Sequence, residues 1–195
     1  MSDIDSDIED LFEDYPSLRS VAPFLAVAEN VHWFRTLGER PYEETRTAAR
    51  DYADLLGFPE ADPVFLPEWE DAAAAAENLE YNSPAWEAEE QQRAVLTADI
   101  LDVIDENVLE MVMTHIVTSV TPGIDAAAQE AAEYLRIDDE EFVRAASGAA
   151  VQACYQAVLV GLVSPEDEHP FVKRFEIFEA GHWPIAIIGN SFLIY

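Results

Sequence analysis

The sequence predicts an all-α, mainly helical protein, a multi-helix bundle of six to eight helices with a short C-terminal β-hairpin packed on it. Apolar residues recur at steps of three and four along most of the chain, which is the spacing of a helix face. Cap residues, glycines and prolines divide this pattern into segments of helical length. The last stretch differs, because no charged side chain follows Glu179. We expect one domain over residues 1–195, with 183–195 as the hairpin.

The first half of the chain is predicted to form four helices separated by proline and glycine. Ser17 is a suitable cap for the second helix and Gly38 a suitable end. Pro41 suits the first turn of the third helix, which Gly57 ends. Pro67 opens the fourth, which contains an alanine run. We expect these helices over 3–13, 17–37, 41–56 and 67–80, with a short extended piece at Val64–Leu66.

Long helices are predicted to dominate the second half. Ser83 and Pro84 repeat the cap-and-proline signal, and a helical stripe then continues to Val120. An unbroken helix of that length would span ~54 Å, more than a domain of this size, so we expect a kink or break near Gln91–Val95. The sequence TPG at 121–123 is expected to end this helix. Further helices are expected over 124–135, 138–163 and 171–180.

The C-terminal segment is predicted to be a hairpin that belongs to the core. Gly181 suits the position after the last helix, and "GN" at 189–190 suits a two-residue type II′ turn with glycine first. Pairing outward from this turn places only bulky apolar side chains on one face: Ile185, Ile187, Phe192 and Ile194. We expect this face to pack on the helices, because a hairpin alone is marginal in water. In the alternative, its free edge pairs with a second subunit.

Charge is the strongest compositional signal. The chain has 40 acidic and 10 basic residues, a formal net charge of -30, and Lys173 as its single lysine. Such a surface repels nucleic acid and anionic membranes, so we expect neither as a partner. Acids spread along the whole chain are typical of a protein that works in a salt-rich cytosol, where screening removes their repulsion. The alternatives are a surface that imitates nucleic-acid phosphates or binds a basic partner, and an ordinary acidic cytosolic protein.

The sequence also indicates a cytoplasmic protein. No run approaches the ~20 apolar residues that a membrane-spanning helix needs. The N-terminal residues carry neither the basic nor the apolar region of a signal peptide. Cys154 is the single cysteine, which excludes an internal disulfide and a thiolate zinc site. It lies within a helix rich in small residues, where we expect a buried, unreactive thiol.

Five residues are candidates for a metal site. Glu29 and His32 are three residues apart, a spacing used by carboxylate-bridged metal sites in helical bundles. The long central helix would supply Glu106, Glu110 and His115. Because acids are so frequent, we mainly expect a solvated acidic face with a partly buried His32. His115 lies in an apolar context and is expected to be a hydrogen-bonded core histidine, with a pH-responsive or catalytic role as the alternative.

One aromatic cluster could bind a ligand. His182 and Trp183 stand where the hairpin leaves the last helix, so they would either line a small-molecule pocket or fix the tail in place. Protonated His182 would also interact favourably with the helix dipole.

No catalytic motif is legible in the chain. We therefore expect a cytosolic helical protein, typical of a halophile, that acts by binding a protein partner or a second copy of itself, without catalysis or cofactor. The alternative is a helical-bundle metal-binding protein or enzyme that uses Glu29, His32 and acids of the long helix to hold a divalent metal.

Overall fold

A computed structural model describes residues 12–77, 83–165 and 168–195. A helical turn at 12–14 and a short 3-10 helix at Pro16–Ser20 come first. The α-helices that follow are α1 (Val21–Ala28), α2 (Glu43–Leu56), α3 (Trp69–Glu77), α4 (Pro84–Leu101), α5 (Glu106–Leu135), α6 (Glu140–Val163) and α7 (Pro170–Glu179). The strands are β1 (Asp62–Phe65), β2 (Pro184–Ile188) and β3 (Ser191–Ile194). The structure is 68% helical, which confirms the predicted mainly α fold.

Local capping signals place several helices as predicted. The Ser83 side chain accepts a hydrogen bond from the backbone N–H of Trp86, and Pro84 begins α4. Gly57 ends α2 in the left-handed conformation. The sequence predicts Asp138 as the cap of α6; the cap is instead Asp139, one residue later, and its carboxylate accepts from two backbone N–H groups. Residues 3–11 of the first predicted helix and 78–80 of the fourth lie outside the described residues.

The predicted helix over 17–37 is wrong beyond Ala28. Residues 29–38 form turns, and Phe34 adopts the left-handed conformation with a φ of 59°. The turns bring Trp33 and Phe34 against Phe178 of α7, at ring-centroid distances of 6.2 and 6.1 Å. Burial of these two aromatic side chains is the tertiary gain that overrides the helical pattern.

The TPG sequence does not end a helix, contrary to the prediction. Pro122 lies inside α5, whose buried residues Ile116, Val120 and Ile124 continue on both sides of it. Pro122 is exposed, so its ring faces solvent while the buried stripe stays continuous. The break in the long helical stripe falls at 102–105, not near Gln91–Val95.

The C-terminal segment forms a sheet with one strand more than predicted. Strands β2 and β3 are antiparallel with Ile187 opposite Phe192, the predicted register, but a bulge places Pro184 opposite Ile194. Strand β1 pairs in parallel with β3, so the sheet order is β1-β3-β2. Gly189 has a φ of 57°, as the first position of a type II′ turn requires. The predicted hairpin leaves one edge of β3 free, and in the structure β1 pairs with that edge.

The hairpin is part of the core, as predicted. Phe192 and Ile194 are buried in a cluster that α2 and the sheet share, together with Tyr52 and Ile177. Trp183 joins the larger core cluster of the bundle and contacts the ring of Phe142 at a centroid distance of 5.2 Å. Bulky apolar side chains are needed at these positions, and charged ones are not tolerated, because these positions are part of two hydrophobic cores.

Gly181 is required where α7 ends. It has a φ of 88°, and a Cβ there would lie 2.7 Å from the Thr36 Oγ1 atom. In return the Thr36 hydroxyl donates to the carbonyl of Ala180, and its backbone N–H donates to that of Gly181. These bonds join the turns after α1 to the start of the tail.

Thermal stability is expected to rise steeply between ~0.1 and ~2 M KCl, because salt screens the repulsion among exposed carboxylates. A matched variant changes four exposed acids of α5 to glutamine and should show a smaller rise: Glu106, Glu110, Glu130 and Glu133. The measurement is a melting curve for both chains across the salt series. A melting temperature that does not change with salt would reject the salt-adaptation hypothesis.

Candidate functional site

A concavity lies between the first turns of α4 and strand β2, and we call it the α4–β2 cavity. Its volume is about 690 Å³. Trp86 on one side and Ile185 and Ile187 on the other give it apolar walls. Its polar lining residues come from four helices: Tyr52, Glu89, Glu90, Arg93, Gln152 and Arg174. The fold thus brings residues far apart in sequence to one cavity that is open to solvent.

Glu89 is the centre of a hydrogen-bond network at this cavity. The Tyr52 hydroxyl donates to the Glu89 Oε1 atom. The Oε2 atom accepts from Arg93 Nη1 and from Arg174 Nη1, each at 3.0 Å. Glu89 and Arg174 are 85 positions apart in sequence, so the network ties α2, α4 and α7 together. One carboxylate therefore serves as the counter-ion of two guanidinium groups.

Burial and the neighbouring cations set the charge state of this network. Burial opposes ionisation of Glu89, but Arg174, Tyr52 and Arg93 outweigh it and lower the pKa of the carboxyl group. Burial, reinforced by the negative charge of Glu89, raises the pKa of the Tyr52 hydroxyl well above its usual value. Glu89 is thus ionised and Tyr52 neutral at pH 7, which makes Tyr52 a hydrogen-bond donor and not a base.

The two arginines differ in how fully their donors are used. Arg93 donates through Nη1 to Glu89 and through Nε and Nη2 to Glu90, so all three of its nitrogens are engaged. Within the described residues Arg174 donates through Nη1 alone, although its residue is only 8% exposed. A guanidinium has five N–H donors, so most of those of Arg174 have no partner in this part of the chain.

A second unpaired polar group lies one helical turn from the cavity. Gln152 lines the cavity, and Gln156 follows it on the same face of α6. Gln156 is buried, and within the described residues neither its Oε1 nor its Nε2 atom has a hydrogen-bond partner. An unpaired buried amide lowers the stability of a fold, so glutamine at position 156 is destabilising.

The predicted metal ligands do not come together. Glu29 and His32 lie in the exposed turns after α1, not on a helix face, so the assumed helical spacing is wrong. Glu106, Glu110 and His115 are exposed on α5. Among the residues the structure describes, no group of three or more His, Cys, Asp or Glu side chains is placed to hold a metal ion. The metal hypothesis therefore gains no support here.

Two single residues were predicted to be buried, with different outcomes. His115 is exposed, so the expectation of a core histidine is wrong, because the uncharged stretch around it has an exposed side as well as a buried one. Cys154 is buried as predicted, and burial raises the pKa of its thiol to about 12. It is therefore a protonated structural residue and not a nucleophile.

His182 and Trp183 are packed into the fold and do not line the α4–β2 cavity. The backbone N–H of Trp183 donates to the main-chain oxygen of Tyr195, and the backbone N–H of Tyr195 donates to the carbonyl oxygen of Trp183 at 2.8 Å. The His182 ring contacts Phe65 edge-on at 5.2 Å, and its Nδ1 atom has no partner in the described residues. Of the two predicted roles, fixing the tail in place is the one that these contacts support.

Burial of His182 predicts a stability change in mild acid. Burial lowers the pKa of His182 to about 4, below the ordinary value of 6.5, and so opposes the predicted interaction with the helix dipole. Between pH 4 and pH 6.5 the unfolded chain therefore binds more protons than the folded one. The stabilising contribution is therefore complete above pH 6.5 and falls as the pH approaches 4, by up to ~3 kcal/mol.

Urea unfolding across that pH range checks this expectation, with His182→Phe as the control for the titration of other groups. The parent chain should lose more stability than the control between pH 6.5 and 4. Parallel pH profiles would contradict it.

The chain was also compared with known proteins. No protein-family model, curated protein or solved structure matches it. The cavity must therefore be interpreted from its own residues.

Sequence reasoning missed this cavity, although one signal was present. Arg93 is the single basic residue between Arg50 and Arg136, and Arg174 follows the single lysine. In a chain with few basic residues, an arginine that stands next to acids is a candidate for a specific ion pair. What the sequence cannot give is that Arg93 and Arg174 share Glu89, because that contact depends on where the fold places α4 and α7 relative to each other.

Proposed function

We propose that the protein binds a small organic molecule in the α4–β2 cavity. The observation that carries the proposal is the cavity itself, with a volume of about 690 Å³, apolar walls and a few convergent polar groups. Small-molecule sites in proteins have these properties, with volumes of ~300–1,000 Å³. The apolar walls would contact the body of the ligand, and the polar side chains would orient it.

The lining residues favour binding over catalysis. Glu89 is held as a counter-ion by two arginines, and the Tyr52 hydroxyl is committed to it. The Ser83 oxygen is occupied as the cap of α4. These groups are fixed in place by one another, which suits recognition of a ligand.

Trp86 provides a test of this function. It lines the cavity and is 38% exposed, whereas Trp33 and Trp183 are buried and the half-buried Trp69 does not line the cavity. We expect small neutral aromatic amides to change the tryptophan fluorescence when they are titrated into the protein in ~2 M KCl, which screens the surface charges. Trp86→Phe should remove the fluorescence change while calorimetry still detects binding. A panel in which no amide binds would overturn the proposal.

Protein binding remains a second candidate function, favoured by one surface. Residues 111–124, "MVMTHIVTSVTPGI", contain no acidic residue in a chain with 40 of them. Their exposed side forms what we call the neutral face of α5: Met111, Thr114, His115, Val117 and Thr118. These five residues offer a basic partner no carboxylate, with Glu110 only at their border, and an acidic partner is repelled by the rest of the chain. A second copy of this chain offers an uncharged surface of the same kind, so we propose self-association through this face.

Sedimentation equilibrium in ~2 M KCl tests this second candidate, since repulsion between copies is screened there. Met111 is 52% exposed at this face, so Met111→Glu is expected to give a monomer. Val95→Glu, on the exposed side of α4, is the matched control and should leave the dimer intact. A parent chain that stays monomeric at all concentrations would contradict self-association.

The cytoplasmic location remains a proposal, supported by the acidic composition. By length and composition α6 could cross a membrane, and 61% of its most apolar window is buried inside the fold. This is the pattern of a core helix, and it gives the membrane alternative little weight. The net charge of -30 also disfavours nucleic acid as a partner.

A further inference from the structure

We infer that the ligand of the α4–β2 cavity carries a carboxylate and that Arg174 receives it. This inference rests on the proposed function, because it names the chemical class of the molecule bound there. Its structural basis is the contrast between two arginines that share one counter-ion. Both donate to the Glu89 Oε2 atom at 3.0 Å, yet only one of them has all its nitrogens engaged.

Arg93 has no edge left for a ligand carboxylate. Its Nε and Nη2 atoms both bond Glu90 Oε1, at 3.1 and 2.5 Å, while Nη1 bonds Glu89. Its charge is therefore matched by two carboxylates. A ligand that bound Arg93 would first have to displace Glu90, which is itself half exposed.

Arg174 has such an edge. In the described residues its Nε and Nη2 atoms make no hydrogen bond, and the Arg174 side chain is 10% exposed. Nε and Nη2 lie side by side in the guanidinium plane, which is the geometry that binds a carboxylate through two parallel hydrogen bonds. Because Arg174 lines the cavity, a ligand there can reach this edge.

The surrounding charges select a monoanion. With Glu89 and Glu90 beside Arg93 and Arg174, the cavity carries two positive and two negative charges. A dianion such as a phosphate monoester would bring excess negative charge close to both carboxylates. A cation would find both oxygens of Glu89 already accepting hydrogen bonds, and Glu90 already paired with Arg93. A carboxylate on an apolar body fits the free edge and the walls formed by Trp86 and Ile187.

Matched probes test the inference. Benzoate, phenylacetate and hydrocinnamate are compared with their amides, which keep the shape and lose the charge. Each is titrated by calorimetry against the parent chain, Arg174→Lys and Arg93→Lys. Lysine keeps the charge beside Glu89 but lacks the planar fork. Melting curves confirm that each variant is folded before it is titrated. If Arg174→Lys fails to fold, the comparison of carboxylate with amide in the parent chain stands as the test.

The expected result has two parts. At least one carboxylate should bind the parent chain about tenfold or more tightly than its amide, since a hydrogen bond to a charged group contributes that much. Arg174→Lys should reduce this preference by about tenfold and Arg93→Lys should reduce it much less, which supports the inference. Equal binding of acids and amides, or equal loss in both variants, would overturn the inference and leave the proposed function standing. Failure of both acids and amides to bind would overturn both.

Discussion

Glu89→Ala is expected to destabilise the protein by ~3–5 kcal/mol, because it removes one partner of a buried charge network. Arg174 would be left buried with no counter-ion among the described residues, and the Tyr52 hydroxyl would lose its acceptor. Chemical denaturation in ~2 M KCl measures the loss, since high salt screens the surface charges much more than this pair, whose side chains are only 10% and 19% exposed.

The matched control is Glu90→Ala, the neighbouring residue on the same helix. Glu90 bonds Arg93 at 2.5 Å but is 48% exposed, so its loss should cost no more than ~1 kcal/mol. A double variant, Glu89→Met with Arg174→Met, should recover much of the stability that Glu89→Ala loses, because neither charge is then left unpaired. Equal effects of the two alanine variants would mean that the network contributes no more than a surface ion pair.

Deleting residues 183–195 is expected to abolish cooperative folding. The deletion removes Trp183, Phe192 and Ile194 from the two cores and leaves β1 without the strand it pairs with. Removing one large buried aromatic side chain alone costs ~3–5 kcal/mol, which is already a large part of the stability of a typical domain. Calorimetry of the truncated chain should therefore show no sharp transition.

Point variants locate this effect within the hairpin. Phe192→Ala should lower the free energy of unfolding by ~3–5 kcal/mol, because the Phe192 ring is buried and stacks on the Tyr52 ring at a centroid distance of 4.8 Å. Ile188→Ala, on the exposed side of the same hairpin, should change the stability by less than ~1 kcal/mol. A truncated chain that melts like the parent would show that the tail is not part of the core.

Much of the fold could be predicted because its signals are local. The Ser83–Pro84 cap and the Gly57 terminus each depend on a few adjacent residues, and both are confirmed. Strand β3 followed from a two-residue turn and the alternation of side chains. The wrong predictions concern segments where burial overrides local preference. Pro122 continues a helix because the buried stripe of α5 continues, and the turns after Ala28 form because Trp33 and Phe34 are buried against α7.

The site was less predictable because its residues come from separate elements. Each of Tyr52, Glu89, Arg93 and Arg174 is unremarkable in its own sequence segment, and only the packing of three helices brings them to one carboxylate. The residues singled out from the sequence were instead those with conspicuous types, such as His32 and His115. In a chain with 40 acids, an acid near a histidine carries little information, whereas a retained arginine carries more.

The affinity of a small aromatic amide for a cavity-filling variant tests the central claim most directly. Ala186 lines the cavity from β2, so Ala186→Trp should occupy the space of the ligand. Val95→Trp adds the same side chain to the exposed surface of α4, outside the cavity. The account predicts that binding weakens by about tenfold or more in Ala186→Trp and is unchanged in Val95→Trp, with both variants folded. Equal affinity in both variants would show that the probe binds elsewhere and would contradict the assignment of the α4–β2 cavity as the binding site.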